Sequence, residues 1–580
     1  MSPPGSETTT SQTIAYFSME IALDASIPTY SGGLGVLAGD TLRAAADLGL
    51  PVVGITLVHH KGYFRQRLDA EGRQTEAPYE WAPADKLKPL PARVWITVEG
   101  RAVELRVWRY LIYGVNGHSI PVYLLDSALT NNDAYDQTLT DSLYGGDNRY
   151  RLCQEVVFGI GGIAMLRALG HAEFQTYHMN EGHSSLLTLA LLQEHANAHD
   201  RGSVIESDVD AVRMKCIFTT HTPVDAGHDR FPAELAERVL GKERTGILAR
   251  LTHPEGGVFN LTALAMFFCR AVNGVSIRHA QVSRRLFPER PVIAITNGVH
   301  AATWTSPPFA RLYDRHFPHW QRDNRYLRQA SAIPVKEVQS AHAESKAALL
   351  KEVERRTGVG FEAATMTIGF ARRATGYKRA DFLFSDLERL RRIAERAGPM
   401  QLVYAGKAHA RDTTGKAAIE RIFTIAADLK GTVRIVYLQE YDMSLAARMV
   451  AGVDLWLNNP VKPLEASGTS GMKAALNGVP SLSVLDGWWL EGWIEGVTGW
   501  AIGDGSEEPG DPAKELESLY SKLEHIVLPM FYQRPPAYAE VMRSAISHNG
   551  SFFNAQRMMS QYLRNMYEPG STPADERLVP

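Results

Sequence analysis

The sequence predicts an α/β protein built from two domains, each a largely parallel sheet covered by helices. First, short apolar runs alternate with longer amphipathic segments from about residue 366 onwards. Second, the first half shows the same alternation with added strand-like segments. Third, the chain has 580 residues, a length typical of roughly two to four domains. Alternating strands and helices are the pattern of parallel sheets with helices on their faces.

The first half begins with a strand, a glycine turn and a helix. In chain order we predict the strand TIAYFSME, the turn YSGGLG, the helix VLAGDTLRAAADLGL and the strand PVVGITLVHH. Residues 63–114 alternate polar and apolar around EG turns, which predicts inserted antiparallel hairpins. The run RLCQEVVFGIGGIAMLRALG predicts a long helix, and FQTYHMN and VRMKCIFTTHT predict two further strands.

The second half is more regular. MTIGFA, QLVYAG, VRIVYL and VDLWLN predict buried strands, while KRADFLFSDLERLRRIAERAG and KAAIERIFTIAADLK predict helices between them. We place the domain boundary near ITNGVH, giving domains 1–300 and 301–580, and expect FFNAQRMMSQYLRNMY to pack back on the first domain. Ligands of such proteins bind at the carboxyl ends of the strands, so the functional motifs should meet in one cleft.

Composition excludes several function classes. The 61 basic and 64 acidic residues give a net charge of −3, which does not favour nucleic acid or an anionic membrane as a partner. The three cysteines have no close spacing typical of zinc or redox sites. Neither a signal peptide nor an apolar run of about 18 residues is present, so we expect a cytoplasmic protein without a membrane partner.

The segment PLEASGTSGMKAALNG, residues 463–478, places Lys473 near the start of a predicted helix. Free N–H groups and the hydroxyls of Thr469 and Ser470 would suit a phosphate there. The amine of Lys473 would then lie where an aldehyde can form a Schiff base with it. This predicts a cofactor that carries both an aldehyde and a phosphate. The alternative is an ordinary N-capped helix with a solvated lysine.

Two further segments also suit anions. FARRATGYKRADF follows a predicted strand with four cations, Arg372, Arg373, Lys378 and Arg379, enough to bind two phosphates. The alternative is a solvated basic helix start. In YSGGLG, residues 30–35, adjacent glycines allow an anion to approach the backbone N–H groups, although such turns are often only conformational.

Together these segments resemble the α-glucan (glycogen, starch and maltodextrin) phosphorylase family. EASGTSGMKAALNG is similar to its pyridoxal-lysine segment, ARRATGYKR to its phosphate-binding segment and SGGLG to its glycine turn. SMEIALDASIPTYSGGLGVLAGD and FTTHTPVDAGHDRF resemble the compact bacterial and archaeal branch. The similarity extends from about Ile14 to about Glu495.

The resemblance implies two Rossmann-like domains facing a central cleft, the glycosyltransferase B-type architecture. It implies reversible phosphorolysis of the non-reducing end of an α-1,4-glucan to α-D-glucose 1-phosphate, with inorganic phosphate as co-substrate and pyridoxal 5′-phosphate as cofactor. Family members are commonly dimers, so a homodimer is an expectation.

The resemblance also implies roles for individual residues. The implied catalytic residues are Lys473, Arg373, Lys378 and His221. Those implied to hold the cofactor are Lys473, Thr469, Ser470, Arg372 and Tyr441. Those implied to bind substrate are Gly33, Leu34, Glu465, Ser467, Gly468, Tyr377, Asn297 and His221.

Three segments of the sequence are open to a second interpretation. Glu465 is also compatible with half of a hydrolase carboxylate pair, but the resemblance makes it an acceptor for sugar hydroxyls. HMNEGH, residues 178–183, lacks the HExxH spacing, so we expect no metal and, by the resemblance, a role lining the cleft. The tryptophans of DGWWLEGW, residues 486–493, are expected in a domain interface.

The chain departs from the better-known members at two positions. Arg372 stands where they have lysine, and Asp442 where many have arginine, which leaves the charge balance beside the cofactor open. One rival function is a nucleotide-sugar-dependent glucosyltransferase of glycogen-synthase type, which needs no Schiff-base lysine. The other is a non-catalytic glucan-binding homologue.

Overall fold

Nineteen strands lie in the part of the chain that a computed structural model describes, residues 13–224, 227–506 and 509–568. They are β1 (Ile14–Phe17), β2 (Val52–Leu57), β3 (Arg65–Leu68), β4 (Gln74–Ala77), β5 (Lys88–Val98), β6 (Arg101–Tyr113), β7 (Ser119–Asp126), β8 (Thr176–Asn180), β9 (Cys216–Thr219), β10 (Arg230–Pro232), β11 (Val258–Asn260), β12 (Ala271–Gly274), β13 (Val292–Ala294), β14 (Met366–Ala371), β15 (Met400–Ala405), β16 (Arg434–Leu438), β17 (Leu455–Asn458), β18 (Ser481–Val484) and β19 (Gly499–Ile502).

Twenty α-helices accompany these strands within the same described ranges. They are α1 (Gly33–Asp47), α2 (Asn148–Ala168), α3 (Leu187–Ala198), α4 (Glu206–Lys215), α5 (Ala233–Leu240), α6 (Lys242–Thr252), α7 (Leu261–Phe267), α8 (Ile277–Leu286), α9 (Ala301–Trp304), α10 (Pro307–His316), α11 (Val335–Thr357), α12 (Leu387–Arg396), α13 (Thr413–Asp428), α14 (Met443–Gly452), α15 (Ser470–Ala475), α16 (Trp489–Gly492), α17 (Pro512–Lys522), α18 (Leu528–Gln533), α19 (Pro535–Ser544) and α20 (Ala555–Tyr562).

Two large sheets organise the molecule. The first has the strand order β13-β12-β9-β8-β1-β2-β7-β6-β5 and is parallel from β13 to β7, with β6 and β5 added antiparallel at one edge. The second has the order β16-β15-β14-β17-β18-β19 and is parallel throughout. The predicted α/β class with hairpin insertions in the first half is therefore confirmed. The domain boundary between residues 300 and 301 stays a prediction.

Helix α2 shows how the first sheet is covered. Its glycines face the sheet so closely that a Cβ on Gly161 would lie 2.6 Å from Leu105 and one on Gly162 would lie 2.6 Å from the ring of Phe17. Larger residues would push the helix away from the strands, which explains Gly161 and Gly162 at the centre of a helix despite the low helix propensity of glycine.

Two predicted elements were wrong in part. Residues 212–215 were predicted as strand but end helix α4, where Val209 and Val212 are buried one turn apart and Asp208 caps the helix through the N–H of Ile205. The helix predicted over 378–398 forms only over α12. It starts there because Arg379 has a left-handed φ of 49° and Asp386 caps the helix through the N–H of Arg389.

The C-terminal segment returns to the first sheet. The hydroxyl of Tyr562 accepts a hydrogen bond from Asn273, and the hydroxyl of Tyr567 lies 2.7 Å from Nδ1 of His178. Next to them, the backbone N–H of Ala555 donates to the carbonyl of Val299. The second half is therefore fastened to the first by its last helix.

A second connection is the hairpin β3–β4, here called the bridging hairpin. It follows β2 of the first sheet but contacts loops of the second. The backbone N–H of Gln66 donates to the Glu440 carboxylate at 2.5 Å, and its side chain donates to the carbonyl of Gly406 at 2.9 Å. The amide of Gln74 donates to the carbonyl of Ala408 at 2.8 Å. Tyr79, just beyond the hairpin, also hydrogen-bonds to Glu440.

Candidate active site

Three charged side chains form a buried cluster at the carboxyl end of β14. Arg372 follows that strand directly, and both Arg372 and Lys378 pair with Oε2 of Glu465. Burial, together with the charge of Arg372, lowers the pKa of Lys378 to about 7. Burial alone would raise the pKa of Glu465, but the two cations hold it below its usual range. Among the described residues, neither the buried Nη1 of Arg372 nor Oε1 of Glu465 has a hydrogen-bond partner.

The loop that carries Glu465 is held by a second carboxyl group. The N–H of Glu465 and the N–H of Gly487 each donate to Asp486 at 2.9 Å, and burial raises the pKa of Asp486 to about 7. The loop turns at Gly468, whose φ of 82° favours glycine. Beside it, Oγ of Ser467 is buried and has no hydrogen-bond partner within the described residues. A ligand hydroxyl or phosphate would satisfy that oxygen.

Lys473 lies in the short helix α15 with its amine enclosed. Nζ sits 3.7 Å from the ring centroid of Trp304, and it makes no hydrogen bond within the described part of the chain. Burial lowers the pKa of Lys473 to about 8, while the negative charge of Asp40 opposes that shift. Asp40 accepts the indole N–H of Trp304 at 2.7 Å. The amine is therefore buried, has a lowered pKa and has no hydrogen-bond partner among the described residues.

The remaining residues assigned to the cofactor surround α15. Thr469 precedes the helix, and Oγ of Ser470 accepts the indole N–H of Trp456 at 3.0 Å. Tyr441 is largely buried, and burial raises the pKa of its hydroxyl. Asp442 caps helix α14 through the N–H of Leu445 at 2.8 Å. This helix-capping role gives a local reason for aspartate at the second departing position.

The glycine turn approaches this cluster from the first sheet. A Cβ on Gly32 would lie 3.3 Å from the guanidinium of Arg373, and one on Gly33 would meet open space. The N–H of Gly32 donates to Glu20, whereas those of Gly33 and Leu34 have no acceptor within the described residues. The turn therefore presents two free N–H groups at the start of α1, beside an exposed cation.

The side chains assigned to the sugar come from both sheets. Nε2 of His221 lies 2.8 Å from Oδ1 of Asn180, and burial lowers the pKa of His221 to about 3. Because an amide oxygen only accepts, Nε2 carries the proton and Nδ1 is left as an acceptor. Oδ1 of Asn297 is buried without a partner in the described residues, and the ring of Tyr377 lies 4.5 Å from Nζ of Lys378.

Comparisons with known proteins identify the family of this chain. A family model described as carbohydrate phosphorylase matches residues 224–495. A maltodextrin phosphorylase of Thermococcus litoralis is 38% identical over 96% of this chain and 70% of its own length. This chain belongs to the carbohydrate phosphorylase family. A glycogen phosphorylase of Mycobacterium tuberculosis is 35% identical over 96% of this chain and 71% of its own, and one of Aquifex aeolicus is 33% identical over 97% and 87%.

Some motifs lie apart from the cluster that the family resemblance defines. Arg379 turns away to pair with Glu515 at 2.6 Å and to donate to two backbone carbonyls. In HMNEGH, His178 bonds to Thr219, and His183 accepts the N–H of Met19. No group of metal-ligating side chains occurs in the described ranges. Trp488 and Trp489 are buried in the hydrophobic core, with Trp488 edge-on to the ring of Phe553.

Sequence reasoning missed several residues of this phosphorylase cleft. Asp486 follows strand β18, so its position at a strand end was a usable signal. Trp304 and Asp40 carried no local signal, because they meet Lys473 only through tertiary packing. A cavity of about 310 Å³ also opens between the two halves of the chain, lined by Tyr63, Tyr144, His409 and Arg411 among others.

No helix in the described ranges combines the length and the apolar character that crossing a bilayer requires.

Proposed function

We propose that this chain is an α-1,4-glucan phosphorylase that converts the non-reducing end of a glucan and inorganic phosphate, reversibly, to α-D-glucose 1-phosphate with retention. The observation that carries the proposal is the enclosed amine of Lys473, with a pKa of about 8 and no hydrogen bond in the described residues. A nucleotide-sugar transferase has no use for such an amine. The names of the maltodextrin and glycogen phosphorylases that it resembles support the same reaction.

The cofactor we propose is pyridoxal 5′-phosphate. Lys473 would bond to its aldehyde, and Tyr441 would pack near its ring. Thr469, Ser470 and the unpaired Nη1 of Arg372 would hold its phosphate. Arginine in place of lysine at this position adds a planar pair of donors suited to a phosphate. Bound there, the group supplies a second phosphate that serves as acid or base.

The co-substrate phosphate would lie between the two halves. Arg373, Lys378 and the N–H groups of Gly33 and Leu34, which have no acceptor in the described residues, would hold it. Two phosphates held side by side repel each other strongly in a site of low polarity, and the surrounding cations offset that repulsion. A Lys378 pKa of about 7 means that an incoming anion would itself favour protonation of this lysine.

The terminal glucose would be oriented by groups that the protein leaves unsatisfied. His221 offers Nδ1, Asn297 offers Oδ1, Ser467 offers Oγ, and Glu465 offers Oε1. Tyr377 and the backbone of Gly468 complete the set. The bond from the anomeric carbon to the glucan oxygen breaks, and a phosphate oxygen bonds to that carbon on the same face. The leaving glucan oxygen takes a proton from the substrate phosphate. The polar groups named above, held in place by the protein, stabilise the oxocarbenium-like centre.

Two measurements test the proposal. Maltooligosaccharides incubated with enzyme and pyridoxal phosphate should yield glucose 1-phosphate only when inorganic phosphate is present. Borohydride reduction followed by peptide mass analysis should place a pyridoxyl group on Lys473, and the Lys473→Ala control should carry none. Cleavage that proceeds equally without phosphate would refute the proposal. Glucosyl transfer from a nucleotide sugar would favour the synthase-type alternative, and binding without turnover the non-catalytic one.

A further inference from the structure

Glu181 adopts a backbone conformation that side chains other than glycine rarely accept. It follows strand β8 directly and has φ 79° and ψ 162°, in a region populated almost only by glycine. A glycine at position 181 would adopt this backbone conformation without strain. A strained residue persists only when the surrounding contacts hold it in place, so the contacts of Glu181 indicate what the strain serves.

Two of the three hydrogen bonds to the Glu181 carboxylate come from the segment that contains His221. One oxygen of the Glu181 carboxylate accepts the backbone N–H of His221 at 2.8 Å and the hydroxyl of Thr222 at 3.1 Å. The other oxygen accepts the N–H of Gly182 at 3.2 Å. The preceding residue, Asn180, binds the imidazole of the same histidine. Two consecutive residues at the end of β8 therefore fix both the backbone and the ring of His221.

The placement is unfavourable for Glu181 in a second way. Burial raises the pKa of its carboxyl to about 7, so the charged acceptor is desolvated at a cost. Strain and desolvation at the same residue are difficult to attribute to stability, because both oppose folding.

We propose that Glu181 is a positioning residue, which holds His221 and Thr222 at the place where the terminal glucose binds. This inference rests on the proposed function and extends it to a residue that touches neither phosphate nor cofactor in the arrangement above. Its contribution is to the orientation of the sugar, so its loss acts on turnover and on glucan binding. The KM for phosphate is expected to stay unchanged, because Arg373 and Lys378 follow β14 of the second sheet and the Glu181 carboxylate bonds to neither.

The test compares Glu181→Gln, Glu181→Ala and Glu181→Gly in the cofactor-loaded enzyme. The glutamine keeps the shape but directs an NH₂ group at one of the N–H donors. We expect kcat to fall at least about tenfold in all three variants, as misplacement of a substrate-orienting group does. The KM for phosphate and the amount of pyridoxyl group on Lys473 should stay within about twofold of the parent protein.

Melting temperatures separate the effect of the strained backbone at residue 181 from the effect of the lost hydrogen bonds. Alanine and glycine both remove the carboxylate, but only glycine accepts the backbone without strain, so Glu181→Gly should melt at a higher temperature than Glu181→Ala. Glu99 is a matched control, because it also has a positive φ of 50° and makes ion pairs, with Arg101 and Arg149, but lies in the β5–β6 turn. Glu99→Ala should lower the melting temperature and leave kcat unchanged.

Several results would overturn the inference. The inference is wrong if Glu181→Gln keeps the kcat of the parent protein. It is also wrong if a higher KM for phosphate explains the whole loss of activity in the variants. A glycine variant no more stable than the alanine variant would remove the evidence for strain. The parent protein is assayed first. If it forms no glucose 1-phosphate, the proposed function is contradicted, and the variants do not bear on the role of Glu181.

Discussion

The pH dependence of cofactor loading follows from the buried amine of Lys473. Only the neutral amine reacts with an aldehyde. At pH 7 about 9% of an amine with a pKa of about 8 is neutral, against about 0.03% at the ordinary value of 10.5. Lys473 is therefore expected to react about 300-fold faster than a free lysine side chain of equal intrinsic reactivity.

The assay uses protein freed of cofactor and mixed with pyridoxal phosphate at pH values from 6 to 10. Borohydride quenching gives the initial rate of labelling at Lys473. The rate of Nα-acetyl-lysine in the same buffers, expressed per neutral amine, corrects for ionisation of the aldehyde. The corrected rate should rise about tenfold per pH unit and level off near pH 8. Asp40→Asn should move the plateau to lower pH, because the Asp40 charge raises the pKa of Lys473. A rate that still rises tenfold between pH 9 and 10 would refute the argument.

Three further predictions concern the charged groups of the cleft. Glu465→Gln leaves two buried cations without their counter-ion and should lower the free energy of unfolding by about 3 kcal/mol. Added phosphate should restore part of that stability. The control Glu517→Gln, at an exposed ion pair, should leave the melting temperature unchanged. Arg373→Ala should raise the KM for phosphate at least about tenfold with little change in the KM for glucan, whereas the exposed Arg392→Ala should change neither. Glu440→Ala removes the carboxylate that accepts hydrogen bonds from Gln66 and Tyr79, and should speed proteolysis within residues 65–77, measured by mass spectrometry. Equal cleavage rates in the variant and the parent protein would contradict that role.

Local patterns predicted the sheets well because their strands are short, apolar and buried on both faces. MTIGFA and QLVYAG became neighbouring parallel strands in register along six residues. The error at 212–215 arose because Val209 and Val212 belong to a helix that ends where the apolar strand begins, so the two patterns merge in the sequence. Local propensity alone does not locate such a junction.

The candidate site was predictable only where its residues form contiguous motifs. Arg372, Lys378 and Glu465 carried signals of charge and spacing, and the structure brings them together. Their mutual pairing was not predictable, since Glu465 lies 87 residues beyond Lys378. Trp304 and Asp40 reach Lys473 from helices that precede it by more than a hundred residues. Their involvement depends on how the two sheets face each other, which no local pattern encodes.

The bridging hairpin has a consequence for how substrate reaches the cleft. Its hydrogen bonds join the first sheet to the loops that follow β15 and β16, and the ion pair between Glu76 and Lys416 adds to them. Separation of the sheets on this side would break all of these contacts at once. Wide opening of the cleft on this side is therefore disfavoured as a way for substrate to enter.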